Sequence, residues 1–288
     1  MRPRITLLVT DLDNTLYDWV TSFTTAFYEM VDVAVCILDV DREHLLDELR
    51  AVHRRRRNSE EPFALLETGT VRRTMAGLTR EERADRLDEA FHAFNSARKR
   101  TLILYPGVME TLERLNEVGV TVVAHTEATV TNAQFRLAKL GIAKFMQRLY
   151  ALEHAGEPHP RPARRETICN VPQVILLRED ERKPDPRILL DICRNMRATP
   201  ERTLYVGDSI PSDVGMAKQA GVWAAWAEYG TRFDPACWER LVRVTHWVEE
   251  DVKRARASKV RFGDVRPDAV LHSFGDLLRF FDFSARGS

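Results

Sequence analysis

The chain has 288 residues, of which 44% are hydrophobic and 30% charged, and its 43 Lys and Arg residues balance its 43 Asp and Glu residues. This composition is typical of a globular protein with one large or two smaller domains, and it excludes a disordered chain. A formal charge of zero argues against a general binder of nucleic acid or of anionic membrane surfaces.

The first predicted element is a buried strand that ends in two carboxylates. Residues Ile5–Val9 form a mostly apolar, partly β-branched run, which is typical of a parallel sheet. Asp11 and Asp13 follow, and Leu12 between them can point back into the core, so both carboxylates can face one pocket. Two like charges so close indicate a cation or a proton between them. By itself such a run is ordinary turn chemistry, so distant segments decide its meaning.

Residues 18–100 contain helix patterns and no strand pattern. Apolar residues recur every three or four positions from Val20 to Leu38, and Asp18 can cap this helix. Residues Thr79–Glu82 match a capping box in front of another well-patterned helix. We expect an all-helical block that lies over the strand ends and excludes water from them. The basic run His53–Arg57 is interpreted as the solvated end of one helix, and binding of a substrate anion is the alternative role.

Strands and helices alternate after residue 104, which predicts an α/β fold with a Rossmann-like parallel sheet. The strand Val120–Ala124 leads to Thr126, and the strand Leu204–Gly207 leads to Asp208, with Asp213 five residues later. Lys183 lies between them in the run Arg-Lys-Pro-Asp-Pro. Further strands are predicted at 148–152, 174–177, 222–227 and 267–271, and further helices at 108–115, 130–140, 186–196, 214–220 and 277–281.

Two stretches, at about 153–178 and 232–266, interrupt this alternation and are interpreted as insertions. The first is rich in proline and arginine, and the second contains one helix pattern around Trp238 and Leu241. His154 and His159 in the first stretch have no cysteine partners, so they are more typical of a loop than of a zinc site.

Strand-end carboxylates, a strand-end hydroxyl and one ammonium group are the parts that a magnesium-dependent phosphoryl-transfer site needs. In these four segments the chain resembles the haloacid dehalogenase superfamily, whose motifs are a hydrophobic run with DxDxT, a hydrophobic run with Ser or Thr, a lysine, and GDxxxxD. The resemblance implies a core of residues 1–16 and 104–288 and an inserted helical cap of the C1 type at 17–103. Asp-Asn-Thr-Leu-Tyr at 13–17 resembles the branch that contains pyrimidine 5′-nucleotidases.

The resemblance also implies a role for each site residue, in a Mg²⁺-dependent phosphohydrolase that acts on a small phosphomonoester such as a nucleotide or sugar phosphate. Asp11 would be the nucleophile that forms an aspartyl-phosphate, and it would also bind the metal. Asp13 would be the general acid and base, and its main-chain carbonyl would bind the metal as well. The remaining roles are metal binding for Asp208 and Asp213, the latter through water or as an orienting residue, and binding of the substrate phosphate for Thr126 and Lys183.

Tyr17 and Trp19 stand at the junction between the nucleophile turn and the helical block. We expect both to border the substrate pocket, and packing of the junction is the alternative role. Glu127 follows Thr126 where many relatives have Asn or Asp, which leaves its effect on phosphate binding open.

Two other functions stay open. A 2-haloacid dehalogenase needs no metal and usually lacks an aspartate at the position of Asp13, so Asp13 argues against it. A non-catalytic binding or regulatory protein on the same scaffold is disfavoured by the complete set of charged groups, because clustered carboxylates without compensation destabilise a fold.

The expected partner is therefore a small molecule, with no nucleic-acid polymer and no membrane. The longest apolar runs are far too short to span a bilayer, and no signal-peptide pattern precedes the first strand. The four cysteines, at positions 36, 169, 193 and 237, form no C-x-x-C pair, so reduced thiols in a cytoplasm are expected. The sequence does not predict an oligomeric state.

Overall fold

The computed structural model describes residues 2–153, 160, 173–246 and 264–285. Seven parallel strands form one sheet in the order β5-β4-β3-β2-β6-β7-β8, and β1 and β9 form a separate parallel pair. The strands are β1 (Arg4–Ile5), β2 (Leu7–Thr10), β3 (Thr121–Thr129), β4 (Arg148–Leu152), β5 (Gln173–Leu177), β6 (Thr203–Gly207), β7 (Trp223–Ala227), β8 (Ala269–Leu271) and β9 (Asp282–Phe283). The predicted α/β fold with a parallel sheet is confirmed.

The helices of the described residues fall into a core set and a helical block. The core helices are α6 (Val108–Glu117), α7 (Val130–Lys139), α8 (Pro186–Asn195), α9 (Gly215–Gln219) and α11 (Leu277–Phe280). The helical block, defined as residues 19–101, contains α1 (Trp19–Leu38), α2 (Arg42–Arg56), a 3₁₀ helix (Pro62–Glu67), α3 (Gly69–Thr74), α4 (Arg80–Arg86) and α5 (Asp88–Thr101). One more helix, α10 (Pro235–Val244), lies between β7 and β8.

The central strand β2 is buried on both faces, which is why its sequence is apolar without alternation. Leu8 packs in a cluster with α6, α7 and α11, whereas Leu7 and Val9 pack on the other face with α8 and α9. Core helices therefore cover both sides of the sheet and leave the carboxyl ends of its strands as the place for a site.

The predicted first strand, Ile5–Val9, is divided in the structure. Arg4–Ile5 pair with Asp282–Phe283, and only Leu7–Thr10 belong to the large sheet. The strand breaks at Thr6, whose neighbours Ile5 and Leu7 are both fully buried, so burial alone gave no sign of the division.

The second motif strand is longer than predicted. It runs over Thr121–Thr129, and its register against β4 shifts between His125 and Thr129. The polar stretch after Ala124 is unlike a buried strand in sequence, yet His125 and Thr129 still pair with β4. Such a bulge bends the strand and re-aims its side chains at the edge of the sheet.

Local signals at helix ends are confirmed. The Asp18 carboxylate accepts the Thr21 amide at the start of α1, and Thr79 and Glu82 form the predicted capping box at the start of α4. These side chains satisfy amide groups that the first helical turn leaves without a partner.

The helical block has its own hydrophobic cluster, in which α1 packs along α5. Leu241 and Val244 of α10 belong to this cluster, although α10 lies in the second predicted insertion. Tyr28 donates a hydrogen bond to the Arg240 carbonyl. The division into a core of 1–16 and 104–288 and a cap of 17–103 stays a prediction, and α10 packs with the second of these units.

Among the described residues, one helix, α1, is long and apolar enough to span a membrane by length and composition. Over its most apolar window 56% of α1 is buried within the protein, and its buried side chains belong to the cluster of the helical block. This apolar surface is therefore used for packing.

Most of the first predicted insertion, together with His154, His159 and Cys169, lies outside the described residues. Its last part is described: the strand predicted at 174–177 is β5, over Gln173–Leu177, and it pairs with β4. The three described cysteines, Cys36, Cys193 and Cys237, are free thiols.

Candidate active site

The carboxyl ends of β2, β3 and β6 meet beneath the helical block and line a cavity of about 980 Å³. All six predicted catalytic, phosphate-binding and metal-binding residues contribute to its lining: Asp11, Asp13, Thr126, Lys183, Asp208 and Asp213. The structure thus brings together residues that are up to 202 positions apart in the chain.

The turn after β2 depends on Asn14, Thr15 and Leu12. Asn14 has a positive φ of 57°, a conformation that Asn tolerates better than most residues, and its side chain accepts the amides of Trp19 and Val20. The Thr15 hydroxyl donates to Asp11 Oδ2 at 3.1 Å. Leu12 is fully buried, as predicted. The burial of Leu12 fixes the backbone next to Asp11, and the hydrogen bond from Thr15 fixes the Asp11 carboxylate.

The fourth motif needs glycine before Asp208. A Cβ atom at Gly207 would lie 2.3 Å from Cγ of Asp213, so only glycine lets the Asp213 side chain occupy its place. The Asp213 carboxylate accepts the Ser209 amide at 2.9 Å. Asp213 is 1% exposed, which argues against the ordinary role of a solvated turn residue.

Gly230 has a similar part that sequence reasoning missed. A Cβ atom there would lie 1.7 Å from the carbonyl oxygen of Asn14. Next to it, the Tyr229 hydroxyl donates to the Thr15 carbonyl at 2.6 Å. The segment after β7 therefore supports the nucleophile turn from one side, and nothing in the local sequence around Gly230 indicates this distant contact.

Lys183 lies between two carboxylates. Its Nζ atom is 2.5 Å from Asp11 Oδ1 and 2.8 Å from Asp213 Oδ1, and its side chain is 4% exposed. The Pro184-Asp185-Pro186 run places it just before α8, where Asp185 caps the helix. The insertion before Lys183 therefore does not displace the ammonium group from the site.

Three carboxylates, of Asp11, Asp208 and Asp213, each offer an oxygen atom within 4.8 Å of the others. Burial is the main cause that raises the pKa of Asp11 to about 7, with Asp213 acting in the same direction and Lys183 against it. Burial, Asp213 and Asp11 raise the pKa of Asp208 well above its ordinary value. Together the three carboxylates and Lys183 carry two negative charges in excess when ionised, and a divalent cation would offset them. Oxygen donors of this kind fit Mg²⁺.

Thr126 is 1% exposed, and its Oγ1 atom accepts the Ala128 amide at 3.0 Å. Because that bond uses a lone pair, the hydroxyl proton remains available to an oxygen atom in the cavity. Glu127 also lines the cavity, with its carboxylate 3.9 Å from Arg182.

Asp13 has a different partner from Asp11. Nη1 of Arg136, a residue of α7, donates to both carboxylate oxygens of Asp13, at 2.9 and 3.0 Å. Burial raises the pKa of Asp13, and Arg136 opposes this rise. Sequence reasoning missed Arg136. A signal for its burial existed, since Arg136 falls on the apolar stripe that Ala133 and Leu137 form on α7.

The two junction residues lie in different places. Trp19 lines the cavity and stacks on Phe23 with ring centroids 5.3 Å apart. Tyr17 is fully buried in the core cluster and is not among the residues that line the cavity. Burial, followed by the Asp13 carboxylate, raises the pKa of Tyr17 well above its ordinary value, so its hydroxyl stays protonated beside Asp13.

The interpretation of residues 53–57 as a solvated helix end is wrong for two of them. His53 is fully buried, and Arg56 pairs with Glu61 and Glu67. Arg55 and Arg57, by contrast, are largely exposed at the cavity. Four consecutive arginines suggest exposure all around the helix, yet even the last turn of a helix has a buried and an exposed face.

The geometry can be compared with known proteins. The model of the haloacid dehalogenase-like hydrolase family matches residues 5–221, a range that contains all four predicted motifs. The chain belongs to the haloacid dehalogenase-like hydrolase family. A second model of haloacid dehalogenase-like hydrolases matches residues 181–277. The predicted superfamily is thereby confirmed, whereas the C1 type of cap and the pyrimidine 5′-nucleotidase branch stay predictions.

Two relatives of this chain are named phosphatases. A glyceraldehyde 3-phosphate phosphatase of Methanopyrus kandleri is 27% identical over 118 residues, which are 41% of this chain and 40% of that protein. A phosphoglycolate phosphatase of Pseudomonas putida, strain KT2440, is 31% identical over 133 residues, which are 44% of this chain and 38% of that protein. The chain thus matches less than half of the length of either phosphatase.

A solved structure of 2-haloacid dehalogenase from Pseudomonas syringae pv. Tomato DC3000 has a TM-score of 0.55 to this chain at 24% identity. The superposition covers 96% of this chain and 97% of the dehalogenase. This likeness establishes a shared fold, and it carries no information about the reaction.

Proposed function

We propose that this member of the family is a phosphatase that hydrolyses a small phosphomonoester with the help of Mg²⁺. The observation that carries the proposal is the set of charged groups around Asp11: a buried carboxylate faces one ammonium group and two further carboxylates in a cavity. The two phosphatase relatives support the same reaction class.

Mg²⁺ would be held by the side chains of Asp11 and Asp208 and by the main-chain carbonyl of Asp13, with Asp213 acting through water or as an orienting residue. When bound, the ion neutralises the negative oxygens of a phosphate group, which otherwise repel a nucleophile. Lys183 adds a second positive charge next to Asp11 and Asp213.

The first step forms a bond between a carboxylate oxygen of Asp11 and phosphorus while the bond from phosphorus to the alcohol oxygen breaks. Asp13 in its acid form gives a proton to that alcohol oxygen. Lys183 and Thr15 each hold one oxygen of Asp11, so the attacking carboxylate is fixed before substrate arrives. The Thr126 hydroxyl donates a hydrogen bond to a phosphoryl oxygen.

The second step releases the phosphate. A water molecule attacks phosphorus and gives a proton to the Asp13 carboxylate, and the bond between phosphorus and Asp11 breaks. Inorganic phosphate leaves, Asp11 regains its charge, and Asp13 is again the acid. Atoms and protons therefore balance over the cycle without a further reactant.

The substrate is a small molecule with a phosphate ester, and a nucleotide or a sugar phosphate remains the expectation from the sequence. The cavity of about 980 Å³ has room for either. The expected cytoplasmic location and the expected absence of a polymer or membrane partner remain predictions.

The 2-haloacid dehalogenase alternative is disfavoured by Asp13, which that reaction does not need and which is held here by two hydrogen bonds from Arg136. The non-catalytic alternative is disfavoured by the complete set of charged groups, in which Thr15 and Lys183 donate to Asp11 and the Ser209 amide donates to Asp213.

The test is a phosphate-release assay with the purified full chain and Mg²⁺, across sugar phosphates, nucleotides and phosphoglycolate. We expect turnover of at least one ester, loss of turnover in Asp11→Asn, and normal turnover in Asp191→Asn, which changes an exposed aspartate on α8. Release of halide from a 2-haloacid without metal would indicate the dehalogenase. Intact Mg²⁺ binding without turnover of any ester would indicate the binding protein.

A further inference from the structure

A buried ionic cluster connects Asp13 to the helical block. Arg136 uses Nη1 for both oxygens of Asp13, and its Nη2 atom is 2.9 Å from Oε1 of Glu60. The side chain of Asn132 donates to the other Glu60 oxygen at 2.7 Å. The side chains of Arg136, Asp13 and Glu60 are 10%, 22% and 14% exposed.

The two carboxylates in this cluster come from different parts of the fold. Asp13 follows the central strand β2, whereas Glu60 belongs to the helical block, in the segment between α2 and the 3₁₀ helix Pro62–Glu67. Arg136 and Asn132 lie one turn apart on α7, so the core supplies both groups that hold Glu60. The cluster therefore forms only when the helical block is seated over the strand ends.

We infer that Arg136 is a positioning residue that fixes the Asp13 carboxylate for proton transfer, and that Glu60 holds Arg136 in the required orientation. The inference rests on the proposed function, because it assigns Asp13 the proton-transfer role. A planar guanidinium with two nitrogens engaged has little rotational freedom, so it restricts Asp13 as well. In this way the seating of the helical block sets the geometry of the acid and base.

Arg136 does not belong to the predicted phosphate-binding or metal-binding groups. Among the described residues, the Asp11 carboxylate accepts hydrogen bonds from Lys183 and Thr15, whereas Arg136 contacts Asp13 and Glu60. Loss of Arg136 should therefore disturb proton transfer much more than substrate binding. It would also leave the buried carboxylates of Asp13 and Glu60 without a shared cation, which destabilises the fold.

The loss of rate in Arg136 variants distinguishes a positioning role from a purely structural ion pair. If Arg136 only joined the helical block to the core, its removal would lower the rate for every ester by a similar factor. If Arg136 positions the acid, the loss should be larger for an ester with a poor leaving group, since a good leaving group departs without a proton.

The experiment compares wild type with Arg136→Met, Arg136→Lys and Glu60→Gln on an alkyl phosphate that wild type hydrolyses and on p-nitrophenyl phosphate. For Arg136→Met we expect kcat for the alkyl ester to fall about 10–10²-fold with a nearly unchanged KM. Formation of the aspartyl-phosphate from p-nitrophenyl phosphate, measured after acid quench by mass spectrometry, should fall much less. That adduct should accumulate, because its hydrolysis also needs Asp13.

Arg136→Lys keeps the charge but cannot bond to both carboxylates in the same way, and Glu60→Gln keeps Arg136 itself. Both should show the same selective loss at a smaller size, and they decide the matter if Arg136→Met does not fold. Arg114→Met, which breaks an exposed pair with Glu117 on α6, is the matched control and should behave as wild type.

Equal losses for both esters, without accumulation of the adduct, would overturn the inference and leave the proposed function intact. A wild type that hydrolyses no phosphomonoester would overturn the proposed function, and the inference with it.

Discussion

Asp11 and Asp13 are chemically identical and two positions apart, yet different cations hold them. Lys183 faces Asp11, and Arg136 faces Asp13. Asp11→Asn should remove the nucleophile and with it all covalent phosphate. Asp13→Asn should keep the nucleophile and lower the turnover of alkyl esters by about 10²–10⁴-fold. Mass spectrometry after acid quench, with p-nitrophenyl phosphate as substrate, should find the adduct on Asp11 in Asp13→Asn. An adduct on another residue would refute the assignment.

Asp208 separates metal binding from the other roles at the same scale. Its side chain has two neighbouring carboxylates and, unlike Asp11 and Asp213, no ion pair with Lys183 among the described contacts. Chelator should abolish turnover and Mg²⁺ should restore it. Asp208→Asn should require a much higher Mg²⁺ concentration, measured by calorimetry and by activity. Asp191→Asn is the control, and undiminished hydrolysis in excess chelator would contradict the prediction.

Sequence reasoning found Asp11, Asp13, Thr126, Asp208 and Asp213 because they follow strands, and neighbouring parallel strands end at one edge of a sheet. It found Lys183 from its place before proline in the Arg-Lys-Pro-Asp-Pro run. Arg136 and Glu60 could not be found in that way. They are 76 positions apart, and their pairing depends on where the helical block rests on α7. Only the place of Arg136 on an apolar helix stripe gave a hint.

At the scale of elements, the end of β6 depends on a close approach that only glycine allows. Gly207→Ala would place a methyl group 2.3 Å from Cγ of Asp213 and push that side chain away from Lys183. We expect a loss of about 1–3 kcal/mol in the free energy of unfolding, typical of overpacking, and a large loss of activity. Gly275→Ala is the matched control, since its methyl group would have ordinary contacts at 3.7 Å. Equal unfolding curves for the two variants would disprove the steric argument.

Element boundaries followed from the sequence where burial and pattern agree, as in α1 and β6. They did not where a buried residue bends the chain, as at Thr6, or where polar residues continue a ladder, as in β3 after His125. In both cases the partner strand, which no local pattern reveals, decides where pairing ends.

At the scale of the whole molecule, α10 joins the segment after β7 to the helical block. His53 of α2 is buried against the Val244 carbonyl, with Nδ1 at 2.7 Å. Burial lowers the pKa of His53 from 6.5 to about 4, helped by His246 and Arg56 and opposed by the Val244 carbonyl. Protonation therefore favours the unfolded chain, whose imidazole titrates normally.

The free energy of unfolding should not depend on His53 titration above about pH 6.5. As the pH falls from 6.5 to about 4, it should decline by up to about 1.4 kcal/mol per pH unit, because the unfolded chain binds the proton first. Urea unfolding at pH 7.5 and pH 5 should show this loss in wild type and a smaller one in His53→Gln. His92→Gln, which changes an exposed histidine of α5, should follow wild type. The same acid loss in His53→Gln would show that other groups cause it.

The attachment of α10 also has a mechanical consequence. The chain crosses between core and helical block twice, and the two crossings lie side by side, since Tyr17 pairs with Leu104 and the Tyr105 amide donates to the Leu16 carbonyl. Two adjacent crossings define an axis, and a body fastened only there can turn about it. Leu241 and Val244 add a third attachment, because they pack in the hydrophobic cluster of the helical block. Rotation of the helical block about the two crossings must therefore carry α10 along or expose the side chains of Leu241 and Val244. The packing of α10 thus restricts a hinge motion that the two crossings alone would permit.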